Sequence, residues 1–236
     1  MGGTERRSAG LIDCFLHFEY IYIRTHTKYN EEKTMSYTRE QIQTAVEAKG
    51  YKWFENGDYN VNIVGVRNSE LNDKVTNKFD DKITITYKED GEWQFHCFDC
   101  TTDPGDDYVD NPLVNKGVAI LKPGQYPKSH KLRLHAGKYL ALGQQNLVKV
   151  YRDRNKDGVY DFDESTVDEG LFGINIHRAT SRAGKKSTYV DKWSAGCQVI
   201  AANDDWHAFL EICQTAREKW SNNFTYTLIE SKDIKG

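Results

Sequence analysis

Cys197 and His177 are the residues around which a reaction could be built. The cysteine closes Trp193-Ser194-Ala195-Gly196-Cys197, a run of small residues between a polar loop and the apolar run Val199-Ile200-Ala201. A turn of this kind exposes a nucleophile, and its successive N–H groups can converge on one oxygen, as an oxyanion hole requires. Upstream, Phe172, Ile174 and Ile176 alternate with Gly173, Asn175 and His177, which predicts a half-buried strand with the histidine opposite its apolar face. A histidine on a neighbouring strand can hold the cysteine as thiolate and later protonate a leaving amine. Taken singly, a cysteine is more often a small buried hydrophobe and a strand histidine a satisfied polar group. The two together, flanking a glycine turn, point to catalysis.

A second constellation suggests a metal. Residues 153–164, DRNKDGVYDFDE, match the twelve-residue calcium loop at each ligand slot. Asp153, Asn155 and Asp157 fall on positions 1, 3 and 5, Gly158 on the sharp turn, the Val159 carbonyl on 7, Asp161 on 9 and Glu164 on 12. A hard divalent cation needs six to eight oxygens, which this loop can supply. An ion-free turn rich in Asp, Asn and Gly is the simpler alternative. Strand-like flanks, not a helix pair, predict a static Ca2+ that pins the connection into the His177 strand.

His177, sixteen intervening residues, then Ser194-Ala195-Gly196-Cys197 resembles the catalytic signature of the L,D-transpeptidases: His, a spacer of about fifteen residues, then [Ser/Thr]-His-Gly-Cys. Ser194, Gly196 and Cys197 fall on motif positions, whereas Ala195 replaces the usual histidine and Gln198-Val199 departs from the usual following pair. The resemblance covers roughly residues 110–202. It implies a β-rich sandwich with peripheral helices and a cysteine enzyme acting on peptidoglycan stem peptides through a thioester. Transpeptidation and L,D-carboxypeptidase or endopeptidase hydrolysis are both open. It implies further that N–H groups around 195–197 stabilise the oxyanion and that His177 serves as acid and base. Arg178 and Trp193 are expected substrate contacts. His135, in LHAGKYLAL, is a candidate for the histidine place that Ala195 vacates, although a lone strand histidine is often structural.

The elements that must position these residues read as short strands with two peripheral helices. Thr38 and Gln41 form a capping-box pair before an apolar stripe (Ile42, Ala45, Val46), and Gly50 closes that helix. Strand-like runs cover 51–54, 59–66 and 82–87, with Glu89-Asp90-Gly91 as a hairpin turn. Trp93, Phe95 and Cys97 alternate as a strand, and 101–111 reads as a polar, solvated loop. Residues 117–142 read as strands broken at Pro123-Gly124 and Gly137, followed by strands at 147–151 and 170–177. Asn203 is expected to cap a last helix whose apolar face is Trp206, Phe209, Leu210, Cys213, Ala216 and Trp220, and 224–229 closes as a strand. The division expected is a disordered or non-native leader at 1–34, a helix–strand element at 35–66 packed on the main domain, and a catalytic domain at 67–236 carrying the calcium loop.

The composition bounds these readings. With 236 residues, 38% hydrophobic and 12% aromatic, the chain can bury one sizeable core. A formal charge of −3 offers no general attraction for nucleic acid. No stretch of eighteen apolar residues predicts a transmembrane segment. Five cysteines (14, 97, 100, 197 and 213) are an odd, sparse set and are expected to be reduced. The lone Cys97-x-x-Cys100 lacks the second pair of a zinc ribbon, and no metal is assigned to it. Basic residues precede a partly apolar stretch in 1–34, but Asp13, His17 and Glu19 interrupt it and no small-x-small cleavage site follows, so it does not read as a signal peptide. The expectation is synthesis in the cytoplasm and action at the bacterial wall or periplasm, by phage release or from a virion. The rival class is a non-catalytic, calcium-stabilised wall-binding or virion structural module on the same fold. A papain-like peptidase fits less well, because there the cysteine usually precedes the histidine.

Overall fold

The computed structural model describes residues 37–71 and 73–234. The expected leader at 1–34, with Cys14, lies outside them.

Helix α1 (Arg39–Ala48) begins as the sequence predicts: the Gln41 N–H donates to Thr38 Oγ1 at 3.2 Å and the Thr38 N–H to Gln41 Oε1 at 2.9 Å. A reciprocal cap of this kind contributes about 1 kcal/mol. At the other end Gly50, at φ +73°, lets its own N–H reach the Glu47 carbonyl and the Tyr51 N–H reach the Val46 carbonyl. That is the Schellman stop. Ile42, Ala45 and Val46 are buried against Val64, Val66 and Ile229, on the outside of the sheet.

Eleven strands follow: β1 (Asn62–Arg67), β2 (Asp81–Glu89), β3 (Glu92–Thr101), β4 (Val118–Leu121), β5 (Gly124–His135), β6 (Tyr139–Gln144), β7 (Val148–Asp153), β8 (Asp168–Gly170), β9 (Ile176–Arg178), β10 (Gln198–Ile200) and β11 (Phe224–Glu230). Eight of them close into a barrel in the order β1-β11-β5-β6-β9-β10-β3-β2, and β4-β7-β8 form a separate small sheet. The mainly β class holds, but the expected sandwich is replaced by a barrel. Alternating inward and outward residues satisfy either architecture; what distinguishes them is that β1 hydrogen-bonds to both β2 and β11, leaving no edge. The expected element at 35–66 likewise does not end at residue 66, because β1 is a stave of the barrel.

Several expected elements differ in extent. Residues 51–54 form no strand. The run 170–177 divides into β8 and β9, with residues 171–175 outside both. Residues 101–105, expected to be solvated, are buried, and Asp103 pairs with Arg67 Nε at 2.8 Å. Short helix α2 (Asp106–Asp110) then leads outward. Helix α3 (Asn203–Lys219) starts one residue after Ala202, so Asn203 is its first helical residue and not its cap. Trp206, Phe209, Ile212, Cys213 and Ala216 face the main core, whereas Trp220 is exposed. Cys97 and Cys100, three apart on β3, lie on opposite faces of the strand; Cys100 is fully buried.

The shortest staves are β9 and β10, paired in parallel with Gln198 opposite Ile176 and Val199 opposite His177. Between β6 and β9 the only registered pair is Leu142 with Ile176. The barrel is thinnest at this seam, and the β5–β6 hairpin runs past it.

Candidate active site

The turn carrying Cys197 is held from below. Ser194 is fully buried; its Oγ accepts the Gly196 N–H at 3.1 Å and donates to the Cys197 carbonyl at 2.8 Å. The Ser194 carbonyl accepts the Gly105 N–H at 2.9 Å. Gly196 has φ +120°, and a Cβ there would lie 2.2 Å from the Ala119 carbonyl oxygen of β4, so only glycine fits. Gln198, also fully buried, donates from Nε2 to the Gly196 and Thr102 carbonyls at 3.2 and 3.3 Å, and its Oε1 accepts from Tyr226 Oη at 2.7 Å. Ser194 and Gly196 therefore shape the turn and do not line the cleft above it. Because Ser194 takes the Gly196 N–H, an oxyanion must be met by the N–H of Ala195 or Cys197.

His177 is 4% exposed, on the strand beside the turn. Its Nδ1 donates to the Arg178 carbonyl at 3.0 Å, which fixes the tautomer and leaves Nε2 as the basic nitrogen. The His135 ring stacks on it with centroids 4.5 Å apart and 28° between planes. Tyr139 Oη stands 3.5 Å from Nδ1, and Arg178 lies 4.4 Å over the Tyr139 ring. Burial pulls His177 down to about 4, opposed by its backbone hydrogen bond and assisted by His135. Cys197 is half-buried, and desolvation pushes its thiol up to about 11. The thiol donates to the Gly173 carbonyl at 3.3 Å. At rest the pair is thus thiol and neutral imidazole, not the thiolate–imidazolium pair expected from sequence. Among the described residues no charged partner offsets the loss of water at Cys197; only a backbone hydrogen bond from Asn175 opposes it.

Cys197 and His177 line one cleft of about 520 Å3. Its walls include all three expected substrate contacts, Arg178, Trp193 and His135, together with Tyr108, Lys138, Tyr139 and Lys192. Among the described residues its charged lining side chains are Lys138, Arg178 and Lys192, with no carboxylate. A second lobe of about 290 Å3 shares Tyr108 and Ala195 and is lined by Leu113, Val114, Leu171 and Phe172. Leu113 and Leu171 are 75% and 64% exposed. Ala195 lines both lobes, the basic one and the second, whose apolar side chains are joined by Arg152.

Sequence reasoning did not single out Tyr139, Tyr108 or Lys138. The hairpin tip carries Tyr139 and Lys138 to the seam only through tertiary structure. Gln198 was noticed only as a departure from the motif. A lone amide before Val199-Ile200-Ala201 was the available signal that a buried polar group anchors the turn.

In the 153–164 loop the Asn155 side chain links the side chains of Asp157 and Asp161, and the Asp161 backbone reaches Asp153. Asn155 Nδ2 donates to Asp157 Oδ2 at 3.2 Å and to Asp161 Oδ2 at 2.9 Å, and the Asp161 N–H reaches Asp153 Oδ2 at 3.4 Å. Gly158 supplies the sharp turn at φ +80°. Glu164, expected at position 12, instead binds Lys122 with both carboxylate oxygens and accepts from Tyr151 Oη at 3.0 Å.

No family model matches this chain, and neither does any curated protein or solved structure.

Proposed function

We propose that the chain is a cysteine acyltransferase or peptidase of the L,D-transpeptidase type, acting on peptidoglycan stem peptides. The observation that carries this reading is that Cys197 and His177, at the spacing of that signature, line the same cleft with Nε2 of His177 unclaimed. The lining cations Lys138, Arg178 and Lys192 suit a ligand with free carboxylates, which stem peptides carry.

The reaction begins from a neutral pair. For the reaction the thiol must leave the Gly173 carbonyl and pass its proton to Nε2 as the sulfur attacks the donor carbonyl carbon. The C–S bond forms, the imidazole takes the proton, and the oxyanion meets the N–H of Ala195 or Cys197. Collapse breaks the C–N bond, His177 protonates the departing amine, and a thioester remains. An acceptor amine or water then loses a proton to Nε2 and attacks the thioester; the released sulfur recovers that proton. The amine gives a crosslink and water gives hydrolysis. Arg178 has two tasks: its carbonyl fixes the histidine tautomer, and its side chain backs Tyr139.

The test is mass spectrometry of tetrapeptide muropeptides incubated with the protein and with Cys197→Ala. Loss of the terminal D-amino acid, or a dimeric product, with wild type alone supports the reading. Unchanged muropeptides with both proteins would overturn it and favour the wall-binding or structural module.

A further inference from the structure

Asp153, Asn155, Asp157 and Asp161 lie on one loop, although in the structure their three carboxylates are not all within ligating distance of one another. Asp153 is 1% exposed, yet its Oδ1 has no hydrogen-bond partner. A carboxylate oxygen buried without a donor costs more than almost any other unpaired polar atom. Its sister oxygen accepts the Asp161 N–H from across the loop, and the Asp161 and Asp157 carboxylates lie near enough to disfavour its charge, so the group faces the loop. The centre of the loop is held by one amide, with Asn155 Nδ2 donating to two carboxylates. A weak dipole thus occupies the position where a full positive charge would be far better placed.

From the buried orphan oxygen and the order of oxygen ligands along the loop we infer that residues 153–164 form a calcium site that draws its carboxylates together on the ion. The ligands are Asp153, Asp157 and Asp161 through carboxylate oxygens, Asn155 through Oδ1 after its amide turns over, and the Val159 carbonyl. Oxygen-only, many-liganded and flexible, this set suits Ca2+ and not Mg2+, which demands a small octahedron and keeps its waters. Glu164 lies at the exit of the loop but is held by Lys122 and Tyr151, so the sixth protein ligand joins only by leaving Lys122. That competition places the affinity among the weaker loops, with Kd between about 10⁻⁵ and 10⁻³ M.

The ion acts on the fold through β7. Asp153 is the last residue of that strand and pairs with Val118 of β4; the next residue of β4, Ala119, puts its carbonyl against Gly196 in the nucleophile turn. Fixing the end of β7 therefore stiffens the wall on which that turn rests. The calcium site does not depend on the proposed reaction.

The experiment uses the full chain freed of metal with EDTA. Terbium is added and its luminescence read through excitation of Tyr160, within the loop, and Tyr151 beside it; CaCl2 or MgCl2 then competes. Melting temperature is recorded with and without 5-fold Kd of calcium. Wild type should give a saturable signal displaced by calcium at least tenfold more effectively than by magnesium, and a calcium-dependent rise in Tm. Both should vanish in Asp157→Ala, whose side chain is exposed and whose loss leaves the core intact. Lys122→Met should bind calcium severalfold more tightly, because Glu164 is then free; a generic acidic surface would not respond in that way. Cys197→Ala should bind calcium as wild type does, so failure of the catalytic reading would leave this result standing. Equal signals in wild type and Asp157→Ala, or equal displacement by calcium and magnesium, would overturn the inference.

Discussion

The turn before Cys197 and the loop after β7 are both polar, both close to the small sheet, and opposite in one respect. In the turn, the Ser194 hydroxyl, the Gln198 amide and the Tyr226 hydroxyl each find partners inside the protein. In the loop, the most buried carboxylate keeps an oxygen with none. A closed network holds one geometry and resists change; an open one leaves a polar atom able to take a ligand. Catalysis needs the first property and reversible ion binding needs the second. The same chemical types, amides and oxygens, serve both ends because of what surrounds them.

The comparison breaks most visibly at Gly196. Alanine there would have to sit 2.2 Å from the Ala119 carbonyl oxygen at φ +120°. Gly196→Ala is expected to cost about 3 kcal/mol in denaturant unfolding, and to lower turnover at least a hundredfold. If it retained wild-type turnover, the turn would not be a rigid mount for Cys197.

Gln198→Leu comes next. It strands the Tyr226 hydroxyl and two carbonyls in the interior, with an expected loss of about 2 kcal/mol. Gln198 touches no cleft surface, so kcat should fall by tenfold or more with KM little changed. A rise in KM alone would show that the residue acts on substrate binding and not on the nucleophile.

At Asp153 the sign should reverse. In the closed turn, removing a polar group destabilises. In EDTA, Asp153→Asn removes a buried charge that burial and the neighbouring Asp161 and Asp157 disfavour, and it keeps an oxygen for the Asp161 N–H. The variant should be as stable as wild type or more stable by about 1 kcal/mol, and saturating calcium should invert the order. A loss of stability in EDTA would mean that Asp153 is already satisfied, and the contrast between the two regions would collapse.

How far the sequence disclosed these regions follows from which residues are local. The Thr38–Gln41 cap, the Gly50 stop and the hairpin at Asp90-Gly91 depend on neighbours within five residues, and each appears where the pattern placed it. The residues of the 153–164 loop are likewise local, so the hydrogen bonds of Asn155 with Asp157 and Asp161 follow from neighbours in sequence. The escape of Glu164 was not, because Lys122 arrives from 42 positions away. Barrel closure was hidden for the same reason: β1 pairs with β11 across almost the whole described chain, and alternation alone says nothing of which strands meet. His177 and Cys197 could be chosen from spacing. Their neutral resting state could not, because it is set by the burial that His135, Tyr139 and the seam of the barrel impose. The buried loop at 101–105 was misread for a related reason. Its Asp and Thr residues look solvated until Arg67 and Asp81 are seen to bind them from other strands.

The smallest effect tests that neutral state directly. His135 covers one face of His177 and, when protonated, repels a second positive charge; both act to hold His177 near 4. His135→Ala admits water and removes the repulsion, so the folded pKa of His177 should rise towards its ordinary value of about 6.5. In the wild type, where both histidines face the cleft with Arg178 and Lys138, the acid limb of kcat/KM should lie well below pH 6. In the variant it should move up by about half a unit to one unit. Stability must follow with the matching sign. A histidine depressed in the folded state takes up its proton first in the unfolded chain, so stability is lost as pH falls from about 6.5 towards 4. Raising the folded value narrows that window, and deleting His135, itself lowered by burial and Arg133, takes away a second contribution of the same sign, so the variant should lose less stability across it than wild type. His130, pulled down to about 4 by its own burial, contributes the same slope to both proteins and drops out of the difference. An acid limb that stayed in place after His135→Ala would mean that the interior of the barrel, and not the stacked ring, keeps the base neutral.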